Sequence, residues 1–306
     1  GSSDRLIGFS ELIEETWSRI EKMSEKEGGM RGTPSGFKDL DHKLSGFQPS
    51  DLIILAARPS VGKTSLALDF ARNAAVKHGI PVAIFSLEMS KEQLVDRMLS
   101  AQSQVDSWKL RTAKLSLDEE FERLQQGMHE LMKAPIFVDD KAANTILNMR
   151  STLRRLTTDK PIGLIIVDYL QLMGTAKSYD NMVNQVTEIS RSLKALAKEF
   201  KAPVIALSQL SRAVESRGGK PRLSDLRDSG SIEQDADVVM FIHREDKYGT
   251  DGGDRKNIVE ILIEKHRNGP TGMVELYFDD KKTTFVSVEK SEFGDFTMPT
   301  IRTPDF

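Results

Sequence analysis

The chain has 306 residues, of which 39% are hydrophobic and 29% are charged, a balance typical of a soluble globular protein with a substantial core. It has no apolar run approaching the roughly 18 residues of a membrane-spanning helix. The absence of cysteine excludes disulfides, thiol nucleophiles and cysteine-ligated metals. Because the net charge is −3, any binding of nucleic acid requires a local basic surface.

The chain begins with a predicted helix. We interpret residues 1–3 as a cloning remnant and predict a helix over 10–27, which Ser10 is suited to cap and a pair of glycines ends. Its apolar stripe consists of Leu12, Ile13, Trp17, Ile20 and Met23. Two interpretations remain open: the helix packs on its own domain, or it docks on another subunit across a flexible linker.

A phosphate-binding loop pattern follows at residues 57–64 (ARPSVGKT), between a predicted buried strand at 52–57 and a predicted helix at 62–78. Backbone N–H groups and the positive end of the helix would surround the phosphates, the Lys63 ammonium would reach the outer ones, and the Thr64 hydroxyl would ligate Mg²⁺. Ala57 stands where the general pattern has glycine. The predicted nucleotide-binding residues are Arg58, Pro59, Ser60, Val61, Gly62, Lys63, Thr64 and Ser65.

Predicted strands and helices alternate beyond this loop, which favours an α/β fold with a mostly parallel sheet covered on both faces. The further strands are predicted at 82–87, 135–139, 163–168, 203–208 and 237–242, and the helices at 90–102, 118–133, 145–157 and 182–200. Three last strands, at 257–265, 272–279 and 283–289, are expected to add antiparallel to one edge. The tail at 291–306 lacks periodicity and is expected to be poorly ordered.

Polar residues follow three of the predicted parallel strands, where ligands of such sheets bind. Asp168 is suited to hold Mg²⁺ directly, through water or through Thr64. Tyr169 next to it is not acidic, so Glu88 is the candidate base that orients and deprotonates the attacking water. Gln209 can hydrogen-bond the γ-phosphate. Each of these residues alone is also compatible with a helix-capping or solvated polar residue at a strand end.

Two cations, Lys265 and Arg267, end the predicted strand at 257–265 and point to the same side, since they are two residues apart. They are either surface cations at a turn or a pair of fingers that reaches a neighbouring subunit's γ-phosphate.

A basic segment, residues 212–227, carries five cations against two anions and is predicted to be a loop. It is either a solvated loop or a segment that follows a phosphate backbone, and its lack of aromatic residues argues against base stacking.

Together these motifs closely resemble the C-terminal motor domain of the DnaB-type hexameric replicative DNA helicases, a RecA-like ATPase family. The matching stretches are 57–64, FSLEMS at 85–90, VDYLQL at 167–172, ALSQLSR at 206–212, DSGSIEQDAD at 228–237 and KHRNGPTG at 265–272. The resemblance covers roughly residues 10–290 and accounts for Ala57, which is common in this family.

The resemblance implies a homo-hexameric ring that binds ATP and Mg²⁺ between subunits, threads single-stranded DNA through its channel and acts in the cytoplasm at the replication fork. It implies that Glu88 is the catalytic base, that Lys63 binds phosphate and that Thr64 and Asp168 form the metal site. It further implies that Gln209 senses the γ-phosphate and that Lys265 and Arg267 act in trans. Arg227, Asp228 and Gly230 match the channel loop that contacts DNA.

The resemblance also divides the chain into a linker helix and connector (4–32), a RecA-like domain (33–290) and a tail (291–306). Full-length members carry a further N-terminal helical domain, so a truncation is expected, and they act with a primase and a helicase loader. His266 departs from the glutamine common in the family. Two alternatives remain: a RecA-like recombination or regulatory ATPase, and a nucleotide-gated assembly module without unwinding.

Overall fold

The computed structural model describes residues 7–24, 31–115, 118–142, 144–158, 160–168, 170, 173, 182–210, 219–245 and 256–288. These residues form a nine-stranded sheet. Its strands are β1 (Leu52–Ala57), β2 (Val82–Ser86), β3 (Ile136–Asp139), β4 (Leu164–Asp168), β5 (Val204–Gln209), β6 (Val238–His243), β7 (Ile258–His266), β8 (Gly272–Asp279) and β9 (Thr284–Ser287).

The strand order is β3-β2-β4-β5-β1-β6-β7-β8-β9. Strands β1 to β6 run parallel to one another, and β7, β8 and β9 continue the sheet antiparallel from β6. The predicted mostly parallel sheet with antiparallel strands at its C-terminal edge is therefore confirmed. The strand β1 lies in the middle, which brings its C-terminal end beside those of β5 and β6.

Helices lie on both faces of this sheet. They are α1 (Phe9–Ser24), α2 (Lys38–Leu44), α3 (Lys63–Arg72), α4 (Lys91–Ser103), α5 (Ser107–Thr112), α6 (Asp118–Lys133), α7 (Ile146–Leu156), α8 (Met182–Phe200) and α9 (Gly230–Asp235). A π-helical turn over Asn73–Lys77 continues α3, and a 3₁₀ helix over Leu223–Ser229 precedes α9. Among the described residues, no helix is both long enough and apolar enough to cross a membrane.

The alternation of side chains along β1 builds two hydrophobic cores. Ile53 and Leu55 face one core, which includes residues of α2, α3 and α4. Ile54 and Ala56 face the other, which includes residues of α7 and α8. Because both faces are covered, all six residues of β1 are buried, as its continuous apolar run predicts.

Three local predictions need correction. The segment 223–227, predicted as part of a loop, is 3₁₀-helical, because Leu223 and Leu226 lie on one side of this tight helix and pack on the core beside α8. The helix predicted over 62–78 changes to π geometry after Arg72, where the buried Asn73 donates a hydrogen bond to the carbonyl of Ser35 (3.2 Å). The sequence does not predict the short helices α2, α5 and α9, because seven, six and six residues are too few to show a helical period.

Candidate active site

The predicted phosphate-binding loop lies between the C-terminal end of β1 and the first residue of α3, in the strand-loop-helix arrangement that the sequence predicts. Gly62 precedes α3 with φ of 102°, a left-handed conformation that favours glycine. A Cβ atom on Gly62 would come within 2.9 Å of Cζ of Phe285, a residue of β9. The loop therefore requires glycine here for two reasons, its backbone conformation and the close packing of β9.

Within the loop, the side chains lie in different environments. Arg58 and Val61 are buried, Pro59 and Ser60 are exposed, and Lys63 and Thr64 are partly buried at the start of α3. Val61 packs in the hydrophobic core, so its side chain anchors the loop.

The structure brings Thr64 and Asp168 together, although 104 residues separate them in the chain. The Thr64 hydroxyl donates a hydrogen bond to Oδ2 of Asp168 (2.8 Å). The other carboxylate oxygen, Oδ1, is buried and has no hydrogen-bond partner among the residues that the structure describes. A hydroxyl beside a buried carboxylate oxygen with spare acceptor capacity is a donor set that suits Mg²⁺. The residues present therefore fit the predicted metal.

Burial and neighbouring charges act in opposite directions on the pKa values of Lys63 and Asp168. Burial lowers the pKa of Lys63, while Asp168 and Glu88 raise it. Burial likewise raises the pKa of Asp168, and Lys63 and the Thr64 hydroxyl lower it. Each charge is thus stabilised mainly by its neighbours of opposite charge.

Glu88 and Gln209 lie, like the loop, at the C-terminal ends of the parallel strands, which form one edge of the sheet. Ser86, the last residue of β2, is paired with Asp168, and Glu88 follows two residues later with its side chain exposed. The Ser86 hydroxyl donates to the carbonyl of Met89 (2.7 Å) and accepts from its N–H, which shapes the turn that carries Glu88. Gln209 is the last residue of β5, paired with Ala57, and it is exposed. The predicted convergence at this edge is therefore present.

Arg97 is a further cation of this site, and the sequence motifs do not predict it. It lies on α4, and its Nη1 is 3.5 Å from the Ser65 hydroxyl. Burial lowers its pKa, whereas Asp168 and Glu88 raise it, so the guanidinium lies in the field of both acids. The available signal was its position three residues after Leu94, beside the buried stripe of the helix that follows Glu88.

Lys265 and Arg267 lie at the opposite edge of the sheet, beside the N-terminal ends of the parallel strands. Lys265 pairs with Val239, which in turn pairs with Ile54 near the start of β1. The backbone N–H of Arg267 donates to the carbonyl of Asp237 (2.8 Å), and the backbone N–H of Asp237 donates to the carbonyl of Leu52 (2.9 Å). With strands rising about 3.3 Å per residue, Leu52 is about 16 Å from Ala57 along β1. The two cations are thus far from their own chain's phosphate loop.

The side chains of both cations reach backbone carbonyls of α9, so they point to the same side, as their spacing predicts. The Lys265 Nζ donates to the carbonyl of Glu233 (2.5 Å), and Nη2 of Arg267 donates to the carbonyl of Gln234 (3.1 Å). These carbonyls lie in the last turn of α9, where cations are favourable.

The predicted DNA-binding residues Arg227, Asp228 and Gly230 lie where the 3₁₀ helix passes into α9. The side chains of Arg227 and Asp228 are outside the described part of the structure, as is the portion 212–218 of the basic segment. The predicted tail at 291–306 is also outside the described residues.

The model of the DnaB-like helicase C terminal domain matches residues 32–287 of the chain. The chain belongs to this family. It is 50% identical to the replicative DNA helicase DnaB of Geobacillus stearothermophilus over 284 residues, which cover 92% of this chain and 62% of that protein. It is 47% identical to the replicative DNA helicase DnaC of Bacillus subtilis over 293 residues, which cover 95% of this chain and 64% of that protein. This DnaB-like chain thus spans less than two thirds of the length of these curated relatives.

Solved structures agree with this family assignment. One solved ATPase domain is 37% identical, with a TM-score of 0.87 over 93% of this chain and 100% of that one. A DnaB-like replicative helicase, solved to study its interactions with primase, is also 37% identical, with a TM-score of 0.84 over 94% of this chain and 69% of that one. The RadB recombinase, 19% identical with a TM-score of 0.51, shares the fold alone. The predicted RecA-like fold and DnaB-type family are confirmed.

Proposed function

We propose that this chain is the motor of a hexameric replicative DNA helicase, which hydrolyses ATP at subunit interfaces, moves along single-stranded DNA and unwinds duplex DNA. The observation that carries this proposal is the separation of two cationic sites by the length of the central strands. Lys63 lies at one edge of the sheet, and Lys265 and Arg267 lie at the other. A chain built in this way completes a phosphoryl-transfer site when one copy presents its far edge to the near edge of the next.

Within one subunit, the near edge binds the nucleotide. Residues 58–65 hold the phosphates, Lys63 neutralises the outer ones, and Thr64 and Asp168 hold Mg²⁺, which when bound neutralises charge on the phosphate oxygens. Glu88 orients and deprotonates the attacking water, and Gln209 hydrogen-bonds the γ-phosphate. Arg97 joins them as a cation of the same subunit, because its guanidinium lies beside Ser65 and in the field of Asp168.

The far edge supplies the cations in trans. Lys265 and Arg267 of one subunit stabilise the charge that develops on the γ-phosphate bound by its neighbour. Hydrolysis then requires assembly, and each subunit acts both as an enzyme and as an activator of the next.

DNA binding and further partners complete the proposal. Arg227, Asp228 and Gly230 contact the backbone of a single strand in the central channel, and the state of the γ-phosphate at Gln209 controls the segment that leads to them. The protein works in the cytoplasm with a primase and a helicase loader. The division into residues 4–32, 33–290 and 291–306 stays a prediction.

The exposed apolar face of α1 supports docking on a neighbouring subunit. Phe9 and Ile13 are exposed, and Trp17 is 63% exposed. An amphipathic helix whose apolar stripe faces water in one chain is suited to bury that stripe on another. We therefore favour the swapped helix over packing on its own domain.

The test measures ATP turnover with and without single-stranded DNA and, in parallel, the unwinding of a forked duplex. We expect DNA to stimulate turnover, unwinding to require ATP, and imaging to show closed rings. Turnover that is indifferent to DNA would favour a nucleotide-gated assembly module. Filaments on DNA without unwinding would favour a RecA-like recombination ATPase.

A further inference from the structure

We propose that Asp237 positions Arg267 for its action on the neighbouring subunit's nucleotide. This inference rests on the function proposed above for Arg267. Asp237 lies between α9 and β6, directly before the first residue of that strand. It is a positioning residue, because it acts through the guanidinium of Arg267.

The Asp237 carboxylate is buried and divides its two oxygens between different partners. Its side chain is 4% exposed. Oδ2 accepts hydrogen bonds from the N–H of Leu52 (2.8 Å) and from Nζ of Lys194 on α8 (2.5 Å). Oδ1 lies 3.3 Å from Nη1 of Arg267. One oxygen therefore holds the carboxylate in the fold, and the other holds the cation.

The backbone strengthens this connection. The Asp237 N–H donates to the carbonyl of Leu52, and the Arg267 N–H donates to the carbonyl of Asp237. Arg267 is thus tied to the first residue of β1 through both the main chain and the side chain of Asp237. The strand β1 is buried throughout, so it is a rigid base for an exposed turn.

Arg267 remains able to act while it is held. Nη1 faces Asp237 and Nη2 donates to the carbonyl of Gln234, yet the side chain is 49% exposed. A guanidinium has five N–H donors in a planar fork, so these two contacts leave donors for a phosphate oxygen. Long side chains lose rotamer freedom when they bind, and a guanidinium already held in place loses less.

The helix α9, which also holds Arg267, is itself fixed to α8. The Ser190 hydroxyl donates to Oδ2 of Asp235 (2.6 Å), and the Thr187 hydroxyl donates to that of Ser231 (2.9 Å). Lys194, on the same helix α8, also donates to the carbonyl of Ser50 (2.8 Å). The contacts that orient Arg267 therefore come from a connected part of the core. Among the described residues, Asp237 is the only buried carboxylate in direct contact with Arg267.

A double-mutant cycle on ATP turnover tests the inference in the assembled protein, at saturating ATP and single-stranded DNA. Asp237→Asn, Arg267→Ala and the combined variant are compared with the wild type by release of radiolabelled phosphate. We expect Asp237→Asn to lower kcat about tenfold alone and to add no loss once Arg267 is replaced. Binding of a fluorescent ADP analogue should be unchanged, because the variant's own phosphate loop lies at the other edge.

Two outcomes would overturn the inference: wild-type kcat in Asp237→Asn, or the same tenfold loss when Arg267 is already alanine. A different outcome concerns the function on which it rests. Wild-type turnover by Arg267→Ala would reject the trans role of Arg267 itself.

A second variant covers the possibility that Asp237→Asn fails to fold, since it leaves Lys194 buried without its carboxylate. Asp237→Asn combined with Lys194→Met removes that ion pair as a unit and still removes the anion beside Arg267. We expect about the same tenfold loss of kcat, again absent when Arg267 is alanine. Wild-type kcat in this variant would contradict the inference.

Asp41→Asn is the matched control. Asp41 is also a buried carboxylate, and it accepts hydrogen bonds from the backbone N–H groups of Ser35 and Gly36 (2.7 and 3.2 Å). Its replacement should leave kcat unchanged. An equal loss in this control would mean that turnover reports general stability, which would also overturn the inference.

Discussion

At the scale of single residues, burial and two neighbouring acids act in opposite directions on the charge of Lys63. Burial favours its neutral form, and the carboxylates of Asp168 and Glu88 favour its charged form, so these opposing effects set its pKa. A triphosphate beside Lys63 adds negative charge and further favours the ammonium. The lysine therefore has an electrostatic reason to bind phosphate that a surface lysine lacks.

Replacing Lys63 or Glu88 by alanine should separate binding from chemistry. Lys63→Ala should abolish turnover and weaken nucleotide binding, because the phosphates lose their main cation. Glu88→Ala should abolish turnover and leave nucleotide binding intact, because it removes only the base. Measured ATP hydrolysis and titration with a fluorescent nucleotide distinguish the two, with the exposed Lys77→Ala and Glu92→Ala as controls. Retained turnover in either site variant would contradict the assignment.

Asp51 predicts a pH dependence of stability. Burial, and secondarily the nearby Asp237, raise its pKa from 3.8 to about 6, although Lys194 opposes the shift. Because the folded chain binds this proton more tightly than the unfolded chain, Asp51 stabilises the fold at low pH. That contribution is lost as the pH rises from about 4 through about 6.

Asp51→Asn removes this titration. The free energy of unfolding of Asp51→Asn minus that of the wild type should rise by about 2 kcal/mol between pH 4.5 and pH 8. Urea unfolding at the two pH values measures the difference, and Asp39→Asn, at an exposed position, should show none. A stability difference that does not change with pH would contradict the prediction.

At the scale of elements, helices differ in how well the sequence predicts them. The long helices α6 and α8 carry clear periodic patterns and were predicted as 118–133 and 182–200, with the bounds that the structure shows. The helix α2 has only seven residues, and its Leu40 and Leu44 are buried in the core that also includes Phe47 and Phe70. Its stability comes from packing, which a local pattern does not reveal.

The prediction at this scale concerns the proposed docking of α1 on a neighbouring subunit. Trp17→Ala should weaken assembly and leave the thermal unfolding of the single chain unchanged, because Trp17 is exposed within that chain. Sedimentation at several protein concentrations measures the loss of assembly. Glu15→Ala, on the opposite side of α1, is the control. Unchanged assembly by Trp17→Ala would argue against docking of α1 on a neighbour.

At the scale of the whole molecule, the sheet separates the two halves of the proposed hydrolytic site. Thr64 and Asp168 meet at the carboxyl edge, while Arg267 is level with Leu52 at the other end of β1. One chain cannot bring its own Arg267 to its own phosphate loop without unfolding the sheet. The proposed action of Arg267 on a nucleotide therefore requires a second copy of the chain.

Mixed assemblies test this requirement. Arg267→Ala subunits mixed with the wild type should lower turnover more than in proportion to their fraction, because each variant subunit disables its neighbour's site and interrupts sequential firing. ATP hydrolysis is measured across a series of mixing ratios, with the exposed Lys281→Ala as the control cation. A strictly linear loss would count against the trans role.

The amino-acid sequence by itself determined the phosphate loop, the alternation of strands and helices, and the polar residues at strand ends. These features depend on residues that are close in the chain, so local patterns reveal them. Only the tertiary structure decided which strands are neighbours, that Arg97 lies beside Ser65, and that Asp237 holds Arg267. These contacts join residues that are 32 and 30 positions apart, because packing rather than local sequence brings them together.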